Sequence, residues 1–231
     1  MSAAPAVGAL SLTLAGGARV LFTTRADGNL STQRGVAHER GRAARDELCA
    51  RLALDWLCAS RQVHRSDVQL VRALAGRGGE PVAIDADGHA TALRGLGAMV
   101  LSADCLPVAL AGDGAVAMLH AGWRGLAAGV LEQGVRALRA LGVGGALEAA
   151  IGPGAGVCCY EVGPEVHAAL GGVARDGGKI DLRAIARERL LTAGVARVHD
   201  VRACTICDER FFSHRREGER AGRQAGVAWL S

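Results

Sequence analysis

Apolar residues along this chain recur with two periods, one typical of strands and the other of helices. Short runs rich in Val, Leu and Ala predict five strands, over residues 18–24, 68–73, 97–110, 115–119 and 148–152. Apolar positions three or four residues apart predict four helices, over residues 41–54, 123–141, 163–170 and 181–193. The run over 97–110 barely alternates, which is typical of a strand buried on both faces.

These strands and helices alternate, and no internal repeat or long low-complexity linker separates them. Such alternation is typical of α/β proteins. We therefore predict an α/β fold, a single-domain layered sandwich with a mixed central β-sheet flanked by helices, over residues 18–231. Residues 1–17, which end in Gly16 and Gly17, are predicted to be a flexible N-terminal tail.

Composition and charge exclude several classes of protein. Half of the 231 residues are apolar, enough for a substantial core, and the net charge is only +4, with Lys179 as the single lysine. So small a surplus does not favour binding to nucleic acid. No apolar run approaches the roughly 20 residues of a membrane-spanning helix, so a membrane partner is not expected either.

The N-terminus and the cysteines indicate the compartment. The first residues lack the basic start of a secretory signal. Seven cysteines, an odd number, argue against a disulfide framework. We expect a soluble, cytoplasmic protein, and nothing in the sequence implies a protein partner.

Three side chains of metal-binding type lie close to predicted strand ends or inside a strand. His64 precedes one predicted strand, Cys105 lies within the run over 97–110, and His120 ends the next strand. Adjacent strands lie roughly 5 Å apart, so residues on one face of a sheet can share an ion. One thiolate with two imidazoles suits Zn²⁺, and three protein ligands leave a position open, as in catalytic sites. The alternative is a buried structural cysteine and two ordinary histidines.

The segment after His120 adds a candidate anion contact. A turn at Ala121 and Gly122 is followed by Arg124, in the first turn of a predicted helix. Backbone N–H groups at a helix start point at anions, and a guanidinium binds phosphate or carboxylate in bidentate fashion. Since a cation is unfavourable at a helix N-terminus, the position favours binding over a purely structural role.

Several stretches of the chain form a specific combination. In order they are RQVHRSDV, DGHAT, SADCLPVAL, HAGWRG, IGPGAGVCCYEVGPEV, CTICDERFF and GRQAGVAWL. Together they resemble the YfiH family, also labelled multicopper polyphenol oxidase (laccase-like) or purine nucleoside phosphorylase, and the likeness runs from about Phe22 to Leu230. The resemblance implies a single α/β domain and a zinc held by His64, Cys105 and His120. It also implies phosphorolysis of adenosine, inosine, guanosine and methylthioadenosine by orthophosphate, and deamination of adenosine.

The resemblance also suggests residues for the substrate. Family members carry a longer segment after a strand like FTTR, with an Asn and an Arg that serve the site. Here that segment is shorter, and Asn29 and Arg45 are the candidates for these positions, with Arg25 of the FTTR motif as a further phosphate contact.

Cys105, His120, Arg124 and Asp87 are the catalytic candidates. Asp87 and Asp104 could orient a metal-bound imidazole or move protons, because such imidazoles usually donate to a carboxylate or carbonyl. N-caps or turn residues are the alternative for both.

Two further clusters lie in the C-terminal half. Phe211 and Phe212 stand beside three arginines, a pattern that favours a hydrophobic strand end next to solvated charges; the functional alternative is purine stacking on Phe212 with phosphate contact. Cys204 and Cys207 have the spacing of half a zinc site, and Cys158 and Cys159 could complete it. Because adjacent cysteines seldom serve one ion well, the sequence favours local packing.

Four other functions are alternatives to a zinc-dependent phosphorylase. Laccase chemistry requires several coppers held mostly by imidazole, and only two of the seven histidines lie in matching motifs, so we reject it. A peptidoglycan editing amidase acting on UDP-muramoyl-amino acid precursors would use the same open site. Cys105 with His120 as base could act without metal. A zinc-stabilised binding module would need a fourth ligand, such as Cys159 or Cys207.

Overall fold

The computed structural model describes residues 10–32, 36–73, 84–172 and 177–231. Within these residues the chain forms thirteen strands and six α-helices. The strands are β1 (Leu10–Thr13), β2 (Arg19–Phe22), β3 (Trp56–Cys58), β4 (Val68–Val71), β5 (Gly88–Thr91), β6 (Leu96–Ser102), β7 (Leu106–Gly112), β8 (Ala115–Ala121), β9 (Leu147–Ile151), β10 (Glu161–Val162), β11 (Gly178–Lys179), β12 (Val195–Asp200) and β13 (Gln224–Trp229). The helices are α1 (Val36–Leu52), α2 (Trp123–Ala127), α3 (Val130–Ala140), α4 (Pro164–Ala169), α5 (Leu182–Thr192) and α6 (His214–Glu217).

The strands form two mixed sheets and one small separate pair. The five-stranded sheet has the order β1-β2-β13-β6-β3, and only its β6–β3 pair is parallel. The six-stranded sheet has the order β12-β9-β7-β8-β5-β4, antiparallel at its centre and parallel at both edges. Strands β10 and β11 pair antiparallel with each other.

The two sheets pack face to face, and helices cover their outer faces. Phe22 of the first sheet and Met118 of the second belong to one buried cluster between them. On the outer face of the five-stranded sheet, Leu48 of α1 shares a cluster with Met99. On the other side, α3 and α5 join a third cluster with β7 and β8. The layered α/β sandwich is confirmed, but its centre contains two stacked sheets.

The strand predicted over residues 97–110 is wrong in one respect that matters for the site. It is two strands in different sheets, because β6 ends at Ser102 and β7 begins at Leu106. Between them Asp104 has a positive φ of 94°, which redirects the chain. Both strands are buried and apolar, and only Ser102 and Asp104 interrupt the run between them, so the pattern reads as one strand. Cys105 therefore lies in the crossover between the sheets.

Two further predictions differ from the structure. The helix predicted over residues 123–141 is α2 followed by α3, interrupted at Gly129, whose φ is 85°. The tail predicted over residues 1–17 does not hold for residues 10–13, which pair with β2, while residues 1–9 lie outside the described residues. None of the helices in the described ranges is both long and apolar enough to cross a membrane.

Candidate metal centre

His64, Cys105 and His120 converge at one point of the fold. His120 lies near the end of β8, Cys105 comes just before the neighbouring strand β7, and His64 lies in the loop between β3 and β4. Their ligand atoms are within 4.8 Å of one another, and the two imidazole centroids are 4.8 Å apart. Among the described residues no fourth Cys, His, Asp or Glu joins the group. These three residues, called the ligand trio below, form an incomplete coordination shell that suits a catalytic metal.

Asp87 holds both histidines of the trio in place. Its buried carboxylate accepts hydrogen bonds from the backbone N–H groups of Val63, His64 and Arg65, at 3.1, 2.9 and 2.8 Å. The same carboxylate lies 2.9 Å from Nδ1 of His120, and the Asp87 carbonyl accepts the His120 backbone N–H at 2.7 Å. With the Nδ1 proton directed at Asp87, Nε2 of His120 is left for a metal.

Gln62 fixes the loop that carries His64. Its side-chain amide donates to the Leu101 carbonyl at 2.7 Å and accepts the Leu101 N–H at 2.8 Å, at the end of β6. His64 itself has a φ of 60°, a conformation that this loop must hold against a steric cost. Gln62 was not predicted as a site residue, although it is the first residue of the QVH motif.

Charge in the trio favours a metal-binding thiolate. Burial raises the pKa of Cys105, but the charges and hydrogen bonds of His120 and His64 outweigh it and lower this pKa. Burial lowers the pKa of His120, but Cys105 and Asp87 outweigh it and raise this pKa. Since the thiolate is the form of cysteine that binds metals, the surroundings prepare Cys105 as a ligand.

Gly122 is required by the close approach of the trio. A Cβ atom at this position would lie 2.6 Å from the Cys105 sulfur and 3.4 Å from Cδ2 of His64. We expect Gly122→Ala to displace the thiol and to weaken metal binding at the trio strongly while the protein still folds. Metal content and circular dichroism of the purified variant test this, with Gly144→Ala, where a Cβ meets nothing within 4 Å, as the matched control. Unchanged metal content in Gly122→Ala would contradict the assigned geometry.

The trio opens into a cleft of about 1070 Å³. Aspartates and arginines both line it, but arginines outnumber aspartates and make the cleft suitable for an anionic ligand. The arginines are Arg42, Arg45, Arg61, Arg124, Arg215 and Arg223, and the aspartates are Asp46, Asp55 and Asp104.

Four of these arginines have no carboxylate partner in the described part of the chain: Arg45, Arg124, Arg215 and Arg223, the last of which donates to the Ala221 and Gly222 carbonyls. The guanidinium of Arg124 is exposed and lies 4.2 Å from the ring centroid of Trp123. Arg215 lies 5.0 Å from the Tyr160 ring. Burial lowers the pKa of Arg45 to about 10. Because α2 has only five residues, an anion contact here rests on Arg124 itself more than on a helix dipole.

Three residues predicted to contact substrate are not among the described residues that line the cleft. Arg25 pairs with Glu217, and its guanidinium carbon lies 4.4 Å from the ring centroid of Phe212, which is buried. Asn29 accepts the backbone N–H of Arg223 at 2.9 Å. These three residues therefore do not line the cleft themselves. Asn29 supports it through its contact with Arg223, which does line the cleft.

Asp104 anchors the crossover next to Cys105. Its carboxylate accepts the Thr205 hydroxyl at 2.7 Å and the backbone N–H of Arg215 at 2.8 Å. Tyr160, which also lines the cleft, was not predicted, and only its place after two cysteines in a matching motif could have indicated it.

The cysteines considered as a fourth ligand do not join the trio. Cys159 and Cys207 form a second group with Cys158 and Cys204. Within the described ranges the trio therefore lacks the complete four-ligand shell that a purely structural zinc requires.

The fold and the trio together define an α/β sandwich with a candidate metal site. The chain belongs to the multi-copper polyphenol oxidoreductase laccase family, whose profile matches residues 13–231. It is 44% identical over 193 residues to a purine nucleoside phosphorylase of Xylella fastidiosa, covering 76% of this chain and 71% of the relative. It is 36% identical over 189 residues to purine nucleoside phosphorylase YfiH of Escherichia coli, covering 76% and 73%. The crystal structure of YlmD from Geobacillus stearothermophilus superposes with a TM-score of 0.83 at 29% identity, covering 92% of each chain. The predicted resemblance to the YfiH family is confirmed.

Proposed function

We propose that this protein is a zinc-dependent purine nucleoside phosphorylase acting on adenosine, inosine, guanosine and methylthioadenosine, with adenosine deaminase activity. One observation carries the proposal: an incomplete His64, Cys105 and His120 ligand set opens into a cleft in which Arg45, Arg124 and Arg215 have no carboxylate partner among the described residues. Its relatives in Xylella fastidiosa and Escherichia coli are named purine nucleoside phosphorylases, which supports the same reaction.

The donor set favours zinc over the copper in the family label. One thiolate and two imidazoles are a borderline-soft set that suits zinc. Multicopper oxidation requires several coppers held mostly by imidazole, whereas only two histidines come together among the described side chains. A zinc ion at the trio supplies Lewis acidity and lowers the pKa of water.

For phosphorolysis, the chain must hold orthophosphate against the sugar. An oxygen of phosphate forms a bond to the anomeric carbon as the bond to the purine nitrogen breaks, and the purine leaves with the electron pair and takes up a proton. Arg45, Arg124 and Arg215 would bind the phosphate and offset the charge that develops. The cleft volume, slightly above the usual range for small-molecule sites, accommodates both substrates.

For deamination, water adds to carbon 6 of the purine and ammonia leaves. The same pocket would hold the purine in both reactions. Asp87 serves both by retaining the Nδ1 proton of His120 and fixing the loop of His64. It is a positioning residue, because it is buried and is not among the described residues that line the cleft.

The direct test is incubation of the zinc-loaded protein with adenosine, with and without orthophosphate. We expect ribose 1-phosphate and adenine only with phosphate, and inosine in both mixtures. If zinc is bound and no purine nucleoside yields product, the proposal is wrong. A UDP-muramoyl-amino acid precursor would then be the substrate to assay.

Arg124→Gln is expected to raise the KM for phosphate by roughly ten- to a hundredfold, because a hydrogen bond to a charged group contributes about 1.5–3 kcal/mol. Steady-state kinetics at varied phosphate measure this effect. Arg136→Gln on α3 is the matched control, since Arg136 is exposed, is not among the described residues that line the cleft, and donates to Gln133. An unchanged phosphate KM in Arg124→Gln would remove Arg124 from the phosphate site.

A further inference from the structure

Four cysteines form a compact group separate from the ligand trio. The sulfur atoms of Cys158, Cys159, Cys204 and Cys207 all lie within 4.8 Å of one another, and those of Cys158 and Cys207 are 3.8 Å apart. All four are free thiols. A tetrahedral zinc with Zn–S bonds of about 2.3 Å separates its sulfurs by about 3.8 Å. We propose that these cysteines bind a second zinc ion, in a tetrathiolate site that is structural.

Backbone pairing between two loops creates the group. The Thr205 N–H donates to the Gly154 carbonyl at 3.1 Å, which places the CxxC segment beside the loop of Cys158 and Cys159. Within each loop a tight turn directs the sulfurs together, since the Cys159 N–H donates to the Gly156 carbonyl and the Asp208 N–H donates to the Cys204 carbonyl, both at 3.0 Å. Adjacent cysteines usually cannot direct both sulfurs at one ion. The turn that begins at Gly156 gives Cys158 and Cys159 a geometry in which they can.

Donors and cations around the group suit its negative charge. Four thiolates with one Zn²⁺ carry a net charge of −2. The Gly156 N–H donates to the Cys204 sulfur at 3.2 Å. Lys179, the only lysine of the chain, donates to the Cys158 carbonyl at 2.7 Å, and Arg216 donates to two carbonyls of the CxxC turn at 2.9 Å. Both cations thus lie next to the ligand loops, where they offset this charge.

The site would stabilise one wall of the cleft. Cys159 is followed by Tyr160, which lines the cleft. Within the CxxC turn, Thr205 donates to Asp104, the residue before Cys105. A closed four-ligand ion has no open position for substrate, so its function here is to hold these two loops together.

Metal counting tests the proposal without reference to catalysis. Protein purified with reductant and reloaded with zinc should contain two ions per chain. Cys207→Ser and Cys158→Ser should each lose one equivalent, and His120→Ala should lose the other one, so that failure at the trio is distinguishable from failure here. Cys58→Ala, a buried cysteine of β3 outside both groups, is the matched control and should keep two. A single ion in the wild type that Cys207→Ser retains would overturn the proposal.

Alkylation of the unchanged chain gives a second measurement if a variant does not fold. Cys158 and Cys207 are exposed, so as free thiols they are accessible to iodoacetamide. Mass spectrometry should show both protected with zinc and both modified after chelation. Equal modification with and without zinc, or a Cys158–Cys207 disulfide in the reduced and zinc-loaded protein, would also overturn the proposal.

Discussion

Replacing His120 with Ala is expected to abolish metal binding at the ligand trio and phosphorolysis together. In the proposed site His120 is one of three ligands among the described residues and is buried against Asp87, so His64 and Cys105 alone would not hold the ion in a fixed geometry. Zinc content should fall by one equivalent, and ribose 1-phosphate formation should fall to background. Metal analysis and a phosphorolysis assay on the same preparation measure both quantities.

His199→Ala is the matched control, because His199 lies on β12 at the edge of the same sheet and outside the cleft. It should keep both metal and turnover. His120→Asn, which fills more of the space, keeps the test valid if the alanine variant unfolds, and circular dichroism checks the fold. Turnover that persists in a folded variant without metal at the trio would refute the metal mechanism.

Asp87→Asn is expected to weaken zinc binding at the trio by about 10- to 100-fold, the usual cost of losing a residue that orients metal ligands. The neutral amide loses the charge that favours a proton on Nδ1 of His120. Its NH₂ group also replaces an oxygen that accepts backbone N–H groups near His64. Competition with a chelator of known affinity measures the change.

Zinc affinity and kcat at saturating zinc together distinguish a positioning role for Asp87 from a general loss of stability and from a direct chemical role. At saturating zinc much of kcat should return in Asp87→Asn, which a direct chemical role for this carboxylate would not allow. Asp113→Asn is the control, since Asp113 is exposed in the turn at the other end of the β7–β8 hairpin. Wild-type zinc affinity in Asp87→Asn would show that the network around this carboxylate does not orient the ligands.

Local periodicity was sufficient to place several elements of the fold. The patterns that predicted β2, β4, β8, β9, α1, α4 and α5 depend on residues a few positions apart. The structure has these elements close to the predicted bounds, except that α1 begins at Val36, five residues before the predicted start. Strand β13 was not predicted. It lies between β2 and β6, so its burial results from partners far away in the chain.

The break after Ser102 shows a different limit. Strands β6 and β7 are both buried on two faces, so their residues are apolar without alternation and read as one strand. Only the positive φ of Asp104, held by Thr205 and Arg215, separates them. Residues about a hundred positions later thus decide where Cys105 lies.

Residue type, short motifs and the family resemblance they carry were enough to single out His64, Cys105 and His120 as candidate ligands and to predict the α/β class, because residue chemistry and helix or strand periodicity are local properties. Tertiary structure alone decided which other side chains meet them. It placed Asp87 and Gln62 under the histidine loop, Arg25 and Phe212 away from the cleft, and four cysteines around one point. These arrangements depend on how two sheets stack and how distant loops pair, and such contacts leave no periodic signal in the sequence.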